Sequence, residues 1–448
     1  MKISKERQLF DNRALVALII PLIIEQFLAV LVGWQILLWW RVSGRRQCLA
    51  YPWLIISLYC LSIFFRLWQL VGLLSRVSIL EGRGRKKLVI CGTACVVCHN
   101  QCGGSDSDCI SMQEFILHGV FGKIEADVME HANTYLLIVT ASIPFIALYN
   151  GGAAIFRAMG DSKIPMIVSM IMNVINVSGN AILIYGFHCG TEGVAIPTLV
   201  SRAVAAILIT ILLCNSKRVL HLEKTFRYRF DGAMVKNILK IGVPNGLENS
   251  MFQLGKILVL SLVSTFGTYA IAANAVSNAV AMFQILPGIS INLAIITVIS
   301  RCVGARDYEQ VKYYTRKLHI ITYAWMIVEN IIIALLIPTI LKVYHLSDLT
   351  AQTTEQILLF HAVAVVTIWP LSFSLPCTLR AAGDVQYTMY MSIFSMWIFR
   401  IAFSYVLGKY MGLGVFGIWV AMVIDWIFRA ICFVIRYLGG KWKHKATV

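Results

Sequence analysis

Arg157-Ala158-Met159-Gly160-Asp161 and Arg380-Ala381-Ala382-Gly383-Asp384 are two copies of one short pattern, 223 residues apart in a chain of 448. The same separation relates two further pairs in apolar segments: Pro21 with Pro244, and Glu25 with Glu248. Internal repeats in a membrane chain are typical of transporters whose binding site lies between the two halves. The repeat therefore predicts a chain built from two related halves.

The composition places both halves in a membrane. Hydrophobic residues make up 58% of the chain and charged residues only 14%, whereas soluble proteins carry about 25% charged residues. The apolar residues form runs of roughly 20, which is long enough for a helix to cross the hydrocarbon core. We expect no large soluble domain and no cleaved signal peptide at the charged N-terminal stretch.

We predict an all-α polytopic membrane protein with twelve transmembrane helices in two pseudosymmetric six-helix bundles. The predicted domains are an N-terminal bundle at 1–214, a polar and basic cytoplasmic linker at 215–235, and a C-terminal bundle at 236–448. The predicted spans cover about 13–33, 50–77, 88–112, 133–156, 163–187, 192–214, 236–262, 275–300, 317–341, 355–378, 386–408 and 412–437.

The net charge of +17 comes from basic residues that cluster in alternate loops. Such alternation is the positive-inside pattern of membrane proteins, and it predicts a cell-membrane protein with both termini in the cytoplasm. Anionic lipid headgroups explain this charge better than nucleic acid does, so the expected partner is the lipid bilayer.

Glu248 is the first candidate for binding a coupling cation. It lies about midway along the seventh predicted span, four residues after Pro244. A carboxylate within the hydrocarbon is costly and usually faces a cavity, and a proline removes a backbone donor and can bend the helix. The alternative is a structural carboxyl that bonds to Asn249 or Gln253. Glu25, the counterpart of Glu248 in the first span, could titrate together with it or have a structural role.

Amide side chains are the candidates for the substrate cavity. Asn173, Asn176 and Asn180 share one face of the fifth predicted span. They could line a cavity, together with Asn249 and Gln253, or could hydrogen-bond between helices. Among the other polar residues inside spans, Arg400 and Asp425 are expected to pair, and Glu329 and His361 to be structural.

Other classes of function find no support in the residues. The chain has no phosphate-binding glycine-rich loop with its lysine and no nucleophile–base arrangement, so we predict neither an ATP-driven pump nor an enzyme. No metal site and no cofactor are expected. Cys91, Cys95, Cys98 and Cys102 have spacings that could hold zinc, but they fall inside a predicted span.

Several stretches resemble the MATE (multidrug and toxic compound extrusion) family: Pro144 through Pro165, Ile241 through Asn249, and Thr378 through Asp384. The likeness covers residues 1–33 and about 112–448. It implies a Na⁺- or H⁺-coupled antiporter that exports amphipathic, often cationic compounds by alternating access, with a coupling acid in the helix of Glu248. The positive-inside pattern places the two repeated runs at cytoplasmic span ends, where we expect their Arg and Asp to cap helix ends and latch the inner gate. Some family members carry an aspartate in span ten, but residues 355–378 of this chain contain none.

Residues 34–110 do not share the resemblance. They hold seven of the twelve cysteines and five of the eleven tryptophans. Reading the codons one base earlier permits small-residue sequences like the counterpart at 268–276, which suit helix packing in membranes. We therefore hypothesise a frame shift that ends near Ile110 to Met112, and sequencing the gene across 30–115 tests it.

Three hypotheses for function follow. The first is a monomeric cation-coupled antiporter with small cationic substrates. The second is a flippase of lipid-linked saccharides or lipids, which requires a basic cleft. The third is an inactive, frame-shifted relic of a transporter.

Overall fold

The computed structural model describes residues 8–42, 134–135, 137–189, 191–215, 218, 220–221, 232–344 and 346–445. Within these ranges the regular structure is entirely helical, as predicted. The predicted spans at 50–77 and 88–112, the cysteine cluster, and the atypical region from residue 43 onward lie outside the described residues.

Four helices precede the predicted linker in the described part of the chain. They are α1 (Asn12–Val42), α2 (Ile143–Ala158), α3 (Lys163–Ala181, continued by a π-helix at Ile182–Gly186) and α4 (Glu192–Leu213). Their bounds agree with the predicted first, fourth, fifth and sixth spans to within a few residues, except that α1 continues to Val42 and α2 begins at Ile143 rather than near 133. Pro21 lies inside α1 without ending it.

Eight helices follow the linker. They are α5 (Gly232–Ser264), α6 (Thr268–Gln284), α7 (Leu286–Gly304), α8 (Tyr308–Tyr344), α9 (Asp348–Thr367), α10 (Leu375–Ala381), α11 (Val385–Ser395) and α12 (Gly414–Leu438). π-helices at Pro370–Ser374, Met396–Ala402 and Tyr405–Tyr410 lie next to α10 and α11. A short 3₁₀ helix, Lys441–Lys445, ends the described chain.

Two predicted spans are broken in the structure. The span predicted at about 275–300 consists of α6 and α7, which meet at Ile285 because Pro287 occupies the first turn of α7, where proline is tolerated. The predicted tenth span bends by 56° between Asp348–Thr367 and Pro370–Ala381. Eight helices of the described residues are long and apolar enough to cross a membrane, and this bent pair is a ninth candidate.

The chain divides into two compact units. One contains Met1–Gln26 and Leu247–Val448, and the other contains Phe27–Gly246. We call them the C-terminal and the N-terminal unit. Their boundaries fall inside α1 and α5 rather than in the predicted linker, so the predicted domain limits stay a prediction.

In the C-terminal unit, a tight contact between α7 and Trp369 positions two aromatic side chains, Trp369 and Phe373. A Cβ atom on Gly288 of α7 would come within 2.2 Å of the Trp369 ring, so only glycine lets these two segments approach so closely. Trp369 in turn stacks on Phe373, with ring centroids 5.0 Å apart. The packing therefore fixes the ring of Phe373 in the Pro370–Ser374 segment.

Candidate functional site

A buried ion pair of Glu248 and Arg380 forms the centre of the candidate site in the C-terminal unit. Arg380 Nη2 donates to Glu248 Oε1 at 2.6 Å, and Arg429 Nη2 lies 3.7 Å from the same oxygen. The three residues are only 3%, 5% and 1% exposed, respectively. A carboxylate is therefore held between two guanidinium groups in a region from which water is excluded.

A second carboxylate extends the ion pair into a cluster. Asp425 is fully buried, its Oδ1 accepts a short hydrogen bond from the Ser395 hydroxyl, and its Oδ2 lies 3.9 Å from Arg400 Nη1. We call Glu248, Asp425, Arg380, Arg400 and Arg429 the charged cluster. The predicted pairing of Arg400 with Asp425 is confirmed.

Helix geometry explains why these five residues meet. Asp425 and Arg429 are four residues apart on α12, so they share one face of that helix. Arg400 lies in the π-helix Met396–Ala402, an arrangement that is rare in proteins and frequent at functional sites. Glu248 comes from α5 and Arg380 from α10.

Aromatic rings surround Arg429. Its guanidinium carbon lies 4.6 Å from the centroid of Phe373, 5.1 Å from Phe252 and 5.8 Å from Phe433. These are cation–π distances, which favour a charged guanidinium that has lost its water. Phe252 thus contacts cationic side chains of the protein itself, Arg400 and Arg429.

A neutral hydrogen-bond network lies elsewhere in the C-terminal unit. Gln284 Oε1 lies 2.6 Å from His361 Nδ1, and the Gln284 backbone carbonyl accepts from the Asn330 amide at 3.1 Å. The His361 ring contacts Trp419 and Trp426 edge-on. His361 is thus hydrogen-bonded within the protein, as expected of a structural residue.

A group of hydrogen-bonded amide side chains lies in the N-terminal unit. The Asn180 amide donates to Asn176 Oδ1 at 3.1 Å, and the Asn176 amide donates to Thr198 Oγ1 on α4 at 3.0 Å. Asn176 therefore joins α3 to α4, and Asn180 bonds to Asn176 within α3. Asn173 Nδ2 is buried without a hydrogen-bond partner among the described residues, so it keeps a donor to offer.

The other predicted residues occupy varied positions. Glu25 is buried, at 5% exposure, in the part of α1 that belongs to the C-terminal unit. Pro244 lies inside α5 without ending it, and Asn249 and Gln253 are half-buried on the same helix. The proposed structural partners of Glu248 were Asn249 or Gln253, but the observed partner of its Oε1 is Arg380.

Both copies of the repeated pattern form the same turn. Gly160 and Gly383 have φ angles of 83° and 93°, and the next residue, an aspartate in each copy, donates its backbone N–H to the fifth residue before it. Asp161 pairs with Arg218 at 3.4 Å, and Asp384 with Arg436 at 2.7 Å. The expectation that Arg380 caps a helix end is wrong, because its guanidinium reaches Glu248 instead.

Arg429 is the residue that sequence reasoning missed. It lies in an apolar predicted span, and the spacing Asp425–Arg429 was the available signal, because a buried arginine in a span requires a nearby acid. The sequence does not show which carboxylates surround it, since Glu248 lies far away along the chain.

Comparisons with known proteins agree with this architecture. A profile of the MatE family matches residues 110–182 and 244–406, together more than half of the chain. The first match begins where the frame-shift hypothesis places the return to the original frame. The chain is 25% identical over 341 residues to the "Probable multidrug resistance protein NorM" of Thermotoga maritima, covering 74% of this chain and 72% of that protein.

Two further known proteins resemble this chain, one in sequence and one in structure. The "Probable multidrug resistance protein YoeA" of Bacillus subtilis is 27% identical over 332 residues, covering 71% of this chain and 70% of that protein. The structure of an outward-facing multidrug resistance MATE family transporter of the MOP superfamily has a TM-score of 0.86 at 20% identity, covering 97% of this chain and 96% of that chain.

The structural likeness confirms the predicted fold class, an all-α polytopic membrane protein of twelve transmembrane helices in two six-helix bundles. Together with the family match, it also confirms that the protein is a transporter and not an enzyme. The chain thus belongs to the MatE family of multidrug efflux transporters.

Proposed function

We propose that this transporter exports amphipathic small molecules, many of them cationic, by alternating access in exchange for Na⁺ or H⁺. The observation that carries the proposal is the buried Glu248 carboxylate on α5, held by Arg380 at 2.6 Å. An ionisable side chain within the membrane is costly and usually serves transport. Glu248 is therefore our coupling residue, with Pro244 on the same helix and Glu25 as further candidates.

Arg380 and the transported cations compete for the Glu248 carboxylate, and this competition gives the transporter two states. In one state Arg380 neutralises Glu248, and in the other a coupling cation or a cationic group of the substrate takes that place. A ligand shifts such an equilibrium only by binding one state better than the other, and displacement of Arg380 supplies that difference. Asp425 is less suited, because its Oδ1 already accepts a short hydrogen bond from the Ser395 hydroxyl.

The amide groups of the N-terminal unit complete the proposal. We assign substrate contacts first to Asn173, whose buried amide nitrogen has no hydrogen-bond partner among the described residues. Asn176 and Asn180 are secondary candidates, because their amide groups already donate hydrogen bonds within the protein. Asn249 and Gln253, half-buried beside Glu248, are candidates for the same role.

The charge pattern of the loops supports a place in the cell membrane with both termini in the cytoplasm. We also propose that one chain is sufficient for transport, since the repeat supplies two related halves within a single polypeptide.

The first experiment measures efflux of a fluorescent organic cation from a host that lacks its own pumps. We expect Glu248→Gln to reduce efflux to the level of the empty vector, because the variant cannot bind Na⁺ or exchange a proton. Glu355→Gln, an exposed acid on α9, is the matched control and should export normally. Equal efflux by Glu248→Gln and the control, at equal amounts in the membrane, would remove Glu248 from the mechanism.

A further inference from the structure

We propose that Arg429 binds an oxyanion, a carboxylate or a phosphate, that is carried by the transported molecule. Arg429 would then discriminate amphiphiles that carry an oxyanion from those that do not. This inference rests on the proposed transport function and deepens it by naming a second charged group of the substrate.

The charge balance of the cluster is the first argument. The charged cluster has three guanidinium groups and two carboxylates, which leaves one positive charge in excess. An excess of positive charge among these five buried residues attracts an anion.

The hydrogen-bonding capacity of Arg429 is the second argument. A guanidinium has five N–H donors, yet Nε and Nη1 of Arg429 have no hydrogen-bond partner among the described residues. The nearest oxygen of Glu248 is 3.7 Å from Nη2, beyond hydrogen-bond distance. Oxyanions suit these vacant donors well, since arginine matches the planar geometry of carboxylates and the charge of phosphates.

The aromatic surroundings indicate what else the ligand carries. Phe252, Phe373 and Phe433 stabilise the charge of Arg429 through their ring faces, but they accept no ordinary hydrogen bond from its N–H groups. Rings in this arrangement also pack well against an aromatic ligand. The segment that carries Phe373 adds two buried hydroxyls, Ser372 and Ser374, whose oxygens lack hydrogen-bond partners among the described residues.

A zwitterion satisfies both signs of charge in the cluster. Its oxyanion would bind Arg429, and its cationic group would compete with Arg380 and the coupling cation for Glu248. The substrate and the coupling cation still exchange at Glu248. Arg429 favours those cationic substrates that also carry an oxyanion. Because Arg429 is 1% exposed here, the ligand enters in a state in which the cluster has opened.

The test uses the full-length protein in nanodiscs and two dyes, a rhodamine that carries a free carboxylate and its methyl ester. Fluorescence titration should show that the wild-type protein binds the acid at least about tenfold more tightly than the ester, the effect of one charge-assisted hydrogen bond. Benzoate and phenyl phosphate, added as competitors, show whether the site prefers carboxylate or phosphate.

Two variants complete the design. Arg429→Gln should abolish the preference for the acid, whereas Lys409→Gln, which replaces an exposed basic residue outside the cluster, should retain it. Equal binding of both dyes by the wild-type protein overturns the oxyanion site even if no variant folds, and so does a preference that survives Arg429→Gln. Binding of neither dye would instead contradict the proposed transport of amphipathic molecules, so the two failures are distinguishable.

Discussion

The two copies of the repeated pattern share a backbone but differ in their surroundings. In both copies a glycine with positive φ ends a helix, and the aspartate after it pairs with an arginine. In the N-terminal copy the pair is loose, at 3.4 Å, and the Asp161 side chain is 36% exposed. In the C-terminal copy the Arg436–Asp384 pair is bidentate, at 2.7 and 3.1 Å, and the Asp384 side chain is 3% exposed.

The difference shows that a short sequence determines its backbone turn, but it does not determine how much its charged side chains contribute to stability. Exposed ion pairs contribute about 0–1 kcal/mol, whereas removing one partner of a buried pair is far more costly. The C-terminal copy also supplies Arg380 to the charged cluster. One sequence pattern therefore makes a local turn in both units and part of a buried ionic site in the C-terminal one.

The largest effect is expected from Arg380→Gln. The variant leaves Glu248 buried without its hydrogen-bonded partner, which should cost about 3–5 kcal/mol of stability. Size-exclusion chromatography after heating in detergent should show a large loss of monodisperse protein. The double variant Glu248→Gln with Arg380→Gln should be more stable than Arg380→Gln alone, because no buried carboxylate is left without its hydrogen-bonded partner. Strictly additive losses would show that the pair is not coupled.

The aspartates should respond unequally. Asp384→Asn removes the acceptor of a bidentate, largely buried pair, and we expect a loss of about 1.5–3 kcal/mol. Asp161→Asn should cost at most about 1 kcal/mol, because its pair is exposed and long. The same heating assay compares them directly, and a similar loss in both variants would mean that burial does not distinguish the two copies.

The smallest difference is expected between the two glycines. Gly160→Ala and Gly383→Ala each place a Cβ atom on a residue with positive φ, which costs roughly 1–2 kcal/mol. We expect nearly equal shifts in melting temperature for the two variants, since the turn is local and its strain does not depend on charge. Clearly unequal shifts would show that the surroundings influence the backbone as well.

Much of the fold and part of the site could be predicted from the sequence. Runs of apolar residues predicted the helices because the hydrocarbon core sets their length, and the pairing of Arg400 with Asp425 followed from the cost of charge in the membrane. The break at Ile285 was missed, because hydrophobicity does not reveal where Pro287 starts a new helix. The partners of Glu248 were also missed, since 132 and 181 residues separate it from Arg380 and Arg429.

The sequence by itself determined the membrane class, the two-half repeat, the glycine turns and the family, because each of these depends on residue type and local spacing. Only the tertiary structure decided that Glu248 is held by arginines, that Arg429 keeps vacant donors, and that Asp384 is buried while Asp161 is not. The physical reason is that the energy of a charge depends on the water and the counter-charges around it. Packing of distant segments sets both.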